Sequence, residues 1–118
     1  MSRRKKNIGD WGEKQACKFL ERHGFRVVNQ NFFTTVGEID IVATKSGDYY
    51  FIEVKTRAKG SLATDMAITK TKQKRLSQAA KKFCYQYKIE DFSVILAGLI
   101  ISVDKREKTI NCRFCILY

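Results

Sequence analysis

The chain is 118 residues long, 44% hydrophobic and 12% aromatic, with 23 Lys and Arg against 12 Asp and Glu and a formal net charge of +11. A domain of this length buries about two-thirds of its unfolded surface, so the composition fits one globular core and excludes a disordered chain. No apolar run approaches the ~18–20 residues of a membrane span; the longest, Val94 to Ile101, has eight. The positive excess favours a polyanionic partner, nucleic acid ahead of an anionic membrane surface.

Met1 to Asn7 holds Arg3, Arg4, Lys5 and Lys6, so residues 1–8 are expected as a flexible basic arm and 9–118 as a single domain. No apolar h-region follows this basic start, so no secretory signal is read and a cytoplasmic location is expected. Cys17, Cys84, Cys112 and Cys115 then read as reduced thiols. Cys112 and Cys115 have CxxC spacing, but there is no second pair and the one histidine is His23, so apolar packing outweighs a zinc site.

The elements follow from periodicity. Asp10 to His23 carries Ala16, Phe19 and Leu20 at helical spacing, and Gly24 ends it. Phe25 to Asn29 is a short strand. Glu38 to Thr44 and Tyr49 to Lys55 are strands rich in Ile, Val, Tyr and Phe, joined by a hairpin turn at Lys45-Ser46-Gly47-Asp48. Thr64 to Tyr87 reads as a long helix with an apolar stripe of Leu76, Ala79, Ala80, Phe83 and Tyr87. Phe92 to Val103 is almost wholly apolar, as expected of a central strand buried on both faces, and Thr109 to Tyr118 is a last strand. The order α-β-β-β-α-β-β implies an α/β fold, a mixed β-sheet flanked by helices.

The hairpin concentrates the chemistry. Centred on Ser46 and Gly47, it places Asp40 opposite Glu53 and Glu38 opposite Lys55. Side chains alternate along a strand, so these four share one face, while Ile39, Ile41, Ile52 and Val54 share the other. A one-residue slip would undo this. Two adjacent carboxylates either raise a pKa or share a cation. A hard divalent ion such as Mg²⁺ suits oxygen ligands and polarises a phosphate. A surface ion-pair ladder explains the same four residues equally well. Glu13 shifts the balance. It lies three and seven residues before Ala16 and Leu20, on the inward stripe of the first helix, where a carboxylate is costly unless paired.

These residues carry a resemblance. Gly12-Glu13, Gly24-Phe25, Gly37-Glu38-Ile39-Asp40 and Glu53-Val54-Lys55-Thr56-Arg57, with Lys72 and Arg75 beyond, resemble the YraN-like family. Those are small bacterial proteins predicted to be endonucleases, distantly similar to archaeal Holliday-junction resolvases, within the PD-(D/E)xK superfamily. The resemblance implies a restriction-endonuclease-like core. It implies Asp40 and Glu53 as Mg²⁺ ligands, with Mn²⁺ as a substitute, Lys55 as the catalytic lysine, and Glu13 as the helical acid that assists the metal. The chain departs from the family pattern at Phe33, where Arg is usual, and at Asp91-Phe92-Ser93, where Arg-Phe-Asp is usual.

The remaining basic residues divide. Lys72 and Arg75 lie three apart and can track one DNA strand; Arg57 and Lys59, past the ExK strand, are further phosphate contacts. Lys81 and Lys82 fit a solvated face equally well. Trp11, Tyr49 and Tyr50 read as core packing ahead of base stacking. His23, beside Gly24, reads as a helix-end residue.

Three functions fit these residues. The first is a Mg²⁺-dependent endonuclease on DNA, branched or otherwise structured. The second is a non-catalytic module that binds DNA or RNA. The third is a basic protein that meets RNA or an acidic protein by charge. A homodimer is expected by analogy with resolvases.

Overall fold

In the computed structural model, which describes residues 3–58, 68–90 and 94–117, the elements run α1 (Arg3–Arg22), β1 (Arg26–Phe33), β2 (Glu38–Lys45), β3 (Asp48–Ala58), α2 (Lys70–Gln86), β4 (Val94–Asp104) and β5 (Thr109–Ile116). This is the expected α-β-β-β-α-β-β order. The strands form one mixed sheet in the order β1-β2-β3-β4-β5. Neighbours are antiparallel except β3 and β4, which run parallel. Parallel neighbours need a crossover, and the segment containing α2 makes it.

Two helix boundaries differ from the sequence reading. α1 begins at Arg3 rather than Asp10, so residues 3–8 of the expected arm are helical. Nothing in that stretch forbids it, since Arg and Lys are good helix formers and there is no proline. The helix ends as expected: Gly24 N–H donates to Glu21 O and Phe25 N–H to Leu20 O. α2 starts at Lys70 because the Thr69 hydroxyl accepts the Lys72 N–H at 3.2 Å. Residues 64–67, expected in that helix, lie outside the described residues. Tyr87, expected on the buried stripe, caps the helix and is half exposed, its ring 4.6 Å from that of Phe83.

The β2–β3 turn sets the register of the hairpin. Ser46 and Gly47 both adopt left-handed φ, 52° and 83°, as a two-residue turn of matching twist demands. Pairing then runs from Lys45–Asp48 to Ile41–Ile52, the register expected from the sequence. Lys45 Nζ donates to the His23 carbonyl at 2.7 Å, which ties this turn to the end of α1.

Both faces of the sheet are covered, so the expectation of one apolar and one polar hairpin face is corrected. Ile41, Ala43, Ile52, Ala97, Leu99 and Ile101 pack with Ala16 and Leu20 of α1. Val42, Phe51 and Leu96 pack with Leu76, Ala79, Ala80 and Phe83 of α2. Ile39 joins the α2 cluster although Ile41 joins the α1 cluster, so strict alternation breaks at Asp40. β4 is buried from Leu96 through Ile101, as a central strand should be. Trp11 and Tyr50 pack against the α1 cluster and Tyr49 against the α2 cluster, as core residues rather than exposed stacking groups. The four cysteines are free thiols. Cys112 and Cys115, three apart on β5, project from opposite faces, and Cys112 packs on the α1 cluster.

Gly12 is where α1 comes closest to β3. A Cβ there would run into the Thr56 hydroxyl. Gly12→Ala is therefore expected to cost about 1–3 kcal/mol through overpacking, despite alanine's better helix propensity. Adding Thr56→Ala should recover much of that loss. Denaturant melts of the single and double variants test this; a fully stable Gly12→Ala would mean that the contact does not constrain the helix.

Candidate active site

The β2–β3 ladder is paired only as far as Ile41–Ile52. Beyond it, the Val54 N–H donates to Asp40 Oδ2 at 2.8 Å. A carboxylate thus takes a donor that a strand carbonyl would otherwise accept, and one Asp40 oxygen is pinned to β3. The close approach at Gly12 seats the next residue, Glu13, over the same spot. Glu13, Glu38 and Asp40 each offer a carboxylate oxygen, and the three atoms lie within 4.8 Å of one another. Among the described residues this is the one group of three or more such ligands.

Asn31 closes the cluster from β1. With its amide oriented by its partners, the nitrogen donates to Glu13 Oε1 at 3.1 Å, Glu13 Oε2 at 3.2 Å and Glu38 Oε1 at 3.0 Å. The residue sits within a strand yet has φ 54°. That conformation is unusual for a side chain with Cβ and best tolerated by Asn and Asp; it aims the amide at the acids.

Burial and mutual repulsion hold protons on these groups. Glu13 is pushed up to about 7, first by burial and then by Asp40, with the Asn31 hydrogen bond opposing. Asp40 is pushed up to about 6, chiefly by burial, against the Val54 N–H and Lys72. Burial also raises Glu53, opposed by Lys72, and raises Glu38, helped by Glu53. Such a cluster is where a functional site is sought first.

The cationic side chains singled out from the sequence have different neighbours. Lys72 Nζ on α2 lies 3.9 Å from Glu53 Oε1, and Lys55 also lowers Glu53. Arg57 Nε donates to Ser102 Oγ at 3.2 Å on β4. Arg75 packs its stem against Gly37, 3.3 Å from where a Cβ would stand. Lys59 lies outside the described residues. Of the residues singled out from sequence, Glu13, Asp40, Glu53, Lys55 and Lys72 therefore meet in one electrostatic neighbourhood. Glu38 falls beside Glu13 and Asp40, and its expected pairing with Lys55 is not part of the ladder. Asn31 was missed: it is the third of three consecutive amides, Asn29, Gln30 and Asn31, beyond the strand expected at Phe25 to Asn29, and no pattern there sets it apart.

Comparisons place the chain in a family. Residues 12–116 match the uncharacterised protein family UPF0102, and the chain belongs to it. It is 42% identical over 81 residues to a UPF0102 protein of Geobacter metallireducens, a match covering 68% of this chain but just under two thirds, 66%, of that one. It is 35% identical over 112 residues to a UPF0102 protein of Alkaliphilus metalliredigens, covering 92% of this chain and 98% of that one. Among solved structures, the Holliday junction resolvase Hjc of Archaeoglobus fulgidus aligns over 88% of this chain and 72% of its own, at 19% identity and a TM-score of 0.44.

The raised pKa values fix a pH dependence. Glu13 binds its proton more tightly folded than unfolded, so its contribution to stability is present at low pH and is lost as pH rises from the ordinary carboxylate value through about 7. Asp40 adds a slope of the same sign up to about 6. With chelator present, Glu13→Gln is expected to melt above the wild type once pH passes about 7, and to match it in acid. Thermal melts across that range read the difference; a variant less stable than the wild type at high pH would show that Glu13 is not charge-strained.

Proposed function

We propose that this member of the UPF0102 family hydrolyses phosphodiester bonds in DNA with the help of a divalent cation, Mg²⁺ or in its place Mn²⁺, held by Asp40, Glu53 and Glu13. The observation that carries this reading is the convergence of Glu13, Glu38 and Asp40 within 4.8 Å, with Asp40 close enough to Glu53 to raise it. The donor set fits the ion. It is all carboxylate oxygen, hard and anionic, and burial together with mutual repulsion makes the charged forms costly without a cation. A cation bound there supplies Lewis acidity and offsets the charge that builds on phosphate.

The chain's own residues do the rest. The Val54 N–H fixes one Asp40 oxygen and leaves Oδ1 to ligate. Asn31 holds Glu13 and Glu38 in place, as an outer-shell donor should. Lys55, next to Glu53, stabilises charge on the phosphate under attack. Lys72, Arg75, Arg57 and Lys59 hold the flanking backbone by sequence-independent contacts. Branched or otherwise structured DNA is the preferred substrate in this reading, the site of action is the cytoplasm, and a homodimer presents two such sites.

One observation favours a second reading. Lys72 stands 3.9 Å from Glu53, so an internal ammonium already offsets one acid, as it would in a binding module that does not cut. A cleavage assay on branched, single-stranded and duplex DNA separates the two. Cutting is expected with Mg²⁺ or Mn²⁺ and not with chelator, and Asp40→Asn or Glu53→Gln should each reduce it about 100-fold or more. If nothing is cut under any metal condition, or if both variants still cut, the enzyme reading with these ligands is wrong.

The cation itself gives a second readout. Filling the site displaces protons from Glu13 and Asp40 and relieves their repulsion, so Mg²⁺ should raise the melting temperature most above pH about 7. Asp40→Asn should lose that rise. An identical rise in the variant would place the ion elsewhere.

A further inference from the structure

A second feature lies beside the acids. A groove of about 690 Å³ runs between the end of β1 and the last turns of α2, lined by Phe33, Thr34, Lys81, Lys82 and Tyr85 among others. Two of its aromatic residues are unusually open: Phe33 is 72% and Tyr85 89% exposed. Neither is needed for the core. Phe32, not Phe33, packs its ring against Phe83, 5.0 Å between centroids. Exposed aromatic residues flanked by lysines fit neither a solvated charged face nor a simple apolar patch.

One residue of the groove is the strand partner of one of the acids. Phe33 is paired across the strands with Glu38. Directly opposed residues project from the same face, so Phe33 neighbours Glu38 across the β1–β2 pair. Basic residues continue along α2. Its 17 residues, from Lys70 to Gln86, include Lys70, Lys72, Lys74, Arg75, Lys81 and Lys82 and no acid. Arg75 and Lys82 are seven apart and share a helix face. From Lys72, at the acids, to Lys82, in the groove, the helix rises about 15 Å at ~1.5 Å per residue. That is about four nucleotides of stacked strand at ~3.4 Å each.

We propose that this groove binds unpaired nucleotides of a DNA strand that leaves the acid site, with bases stacked on Phe33 and Tyr85 and phosphates on Lys81 and Lys82. The inference rests on the nucleic-acid reading of that site and narrows its substrate to DNA with single-stranded character next to the cut. Charge complementarity selects the occupant: a strand offers phosphate for the ammonium groups and a π-face for each ring, without regard to sequence. A duplex keeps its bases stacked on one another and offers the rings nothing.

The test is binding, in chelator so that nothing is cut. Fluorescence anisotropy compares a labelled oligo-dT strand with a blunt duplex of equal length. Phe33→Ala and Tyr85→Ala should each weaken the single strand about tenfold, as the loss of one stacked base does, and leave the duplex within about twofold. Phe33→Trp and Tyr85→Trp should restore affinity, and the added indole emission should be quenched by the strand. Lys82→Ala should weaken both probes and flatten the salt dependence by about one unit of slope.

The proposal is overturned if the alanine variants bind the single strand as the wild type does, if they lose strand and duplex equally, or if the tryptophans are not quenched. A change in oligomeric state on size exclusion, with DNA binding intact, would instead make the groove a contact between two copies of this chain and overturn it as well. Because binding is read without metal, a chain that never cuts DNA can still pass. Equally, an active nuclease whose Phe33 and Tyr85 variants bind normally would sink the groove alone.

Discussion

Where β2 and β3 part, the amide of Val54 donates to a carboxylate. Much of the site depends on that substitution. A strand amide at a sheet interior must find an acceptor. Asp40 supplies it from its side chain, and so stays buried and pinned while its second oxygen is left without that duty. The same opening breaks the alternation of β2, sending Ile39 to the α2 side and Ile41 to the α1 side. Asp40 thus sits at the one point where the two helices' territories meet. That is how Asp40 raises an acid from α1, Glu13, and is itself lowered by a lysine from α2, Lys72.

The cluster is asymmetric. Glu53 has two lysines to offset it, Lys72 and Lys55. Glu13 has only the Asn31 amide opposing its neighbours, and for Glu38 burial and Glu53 act together. A dipole such as an amide offsets far less charge than an ammonium ion, so the deficit is concentrated at Glu13 and Glu38. A site evolved only for stability would place a cation where the repulsion is greatest. Here the lysines act on Glu53 and, through Lys72, on Asp40.

Much of this was legible in the sequence, for identifiable reasons. The Ser46-Gly47 turn permits few geometries, so the register from Lys45–Asp48 to Ile41–Ile52 follows from the turn alone, and the ladder stops one pair short of the expected Asp40–Glu53. The inward stripe of α1 likewise places Glu13 before any coordinates are known. Other features depend on tertiary packing that periodicity does not encode. Strict alternation assigned Ile39 and Ile41 to one face, but the opening at Asp40 turns them to opposite clusters. Asn31 owes its role to a left-handed φ inside a strand, which no period-2 pattern announces. The contact of Lys72 with Glu53 depends on where the crossover sets α2 down on the sheet.

The distribution of charge along the chain fits the same division of labour. Residues 9–53 carry seven acids against five bases, and residues 54–88 carry ten bases against one acid. The first segment ends at Glu53 and the second contains Lys55, so the boundary between acidic and basic halves falls inside β3, at the site itself. Both sides of that boundary are needed to hold a phosphodiester. Carboxylates alone repel a polyanion, and lysines alone grip it anywhere along its length. Placing the sign change within one strand fixes the distance between the acidic and the basic side by backbone geometry, since Glu53 and Lys55 are two residues apart and project from one face. A rigid β-strand held between β2 and β4 is a better ruler for that purpose than a loop.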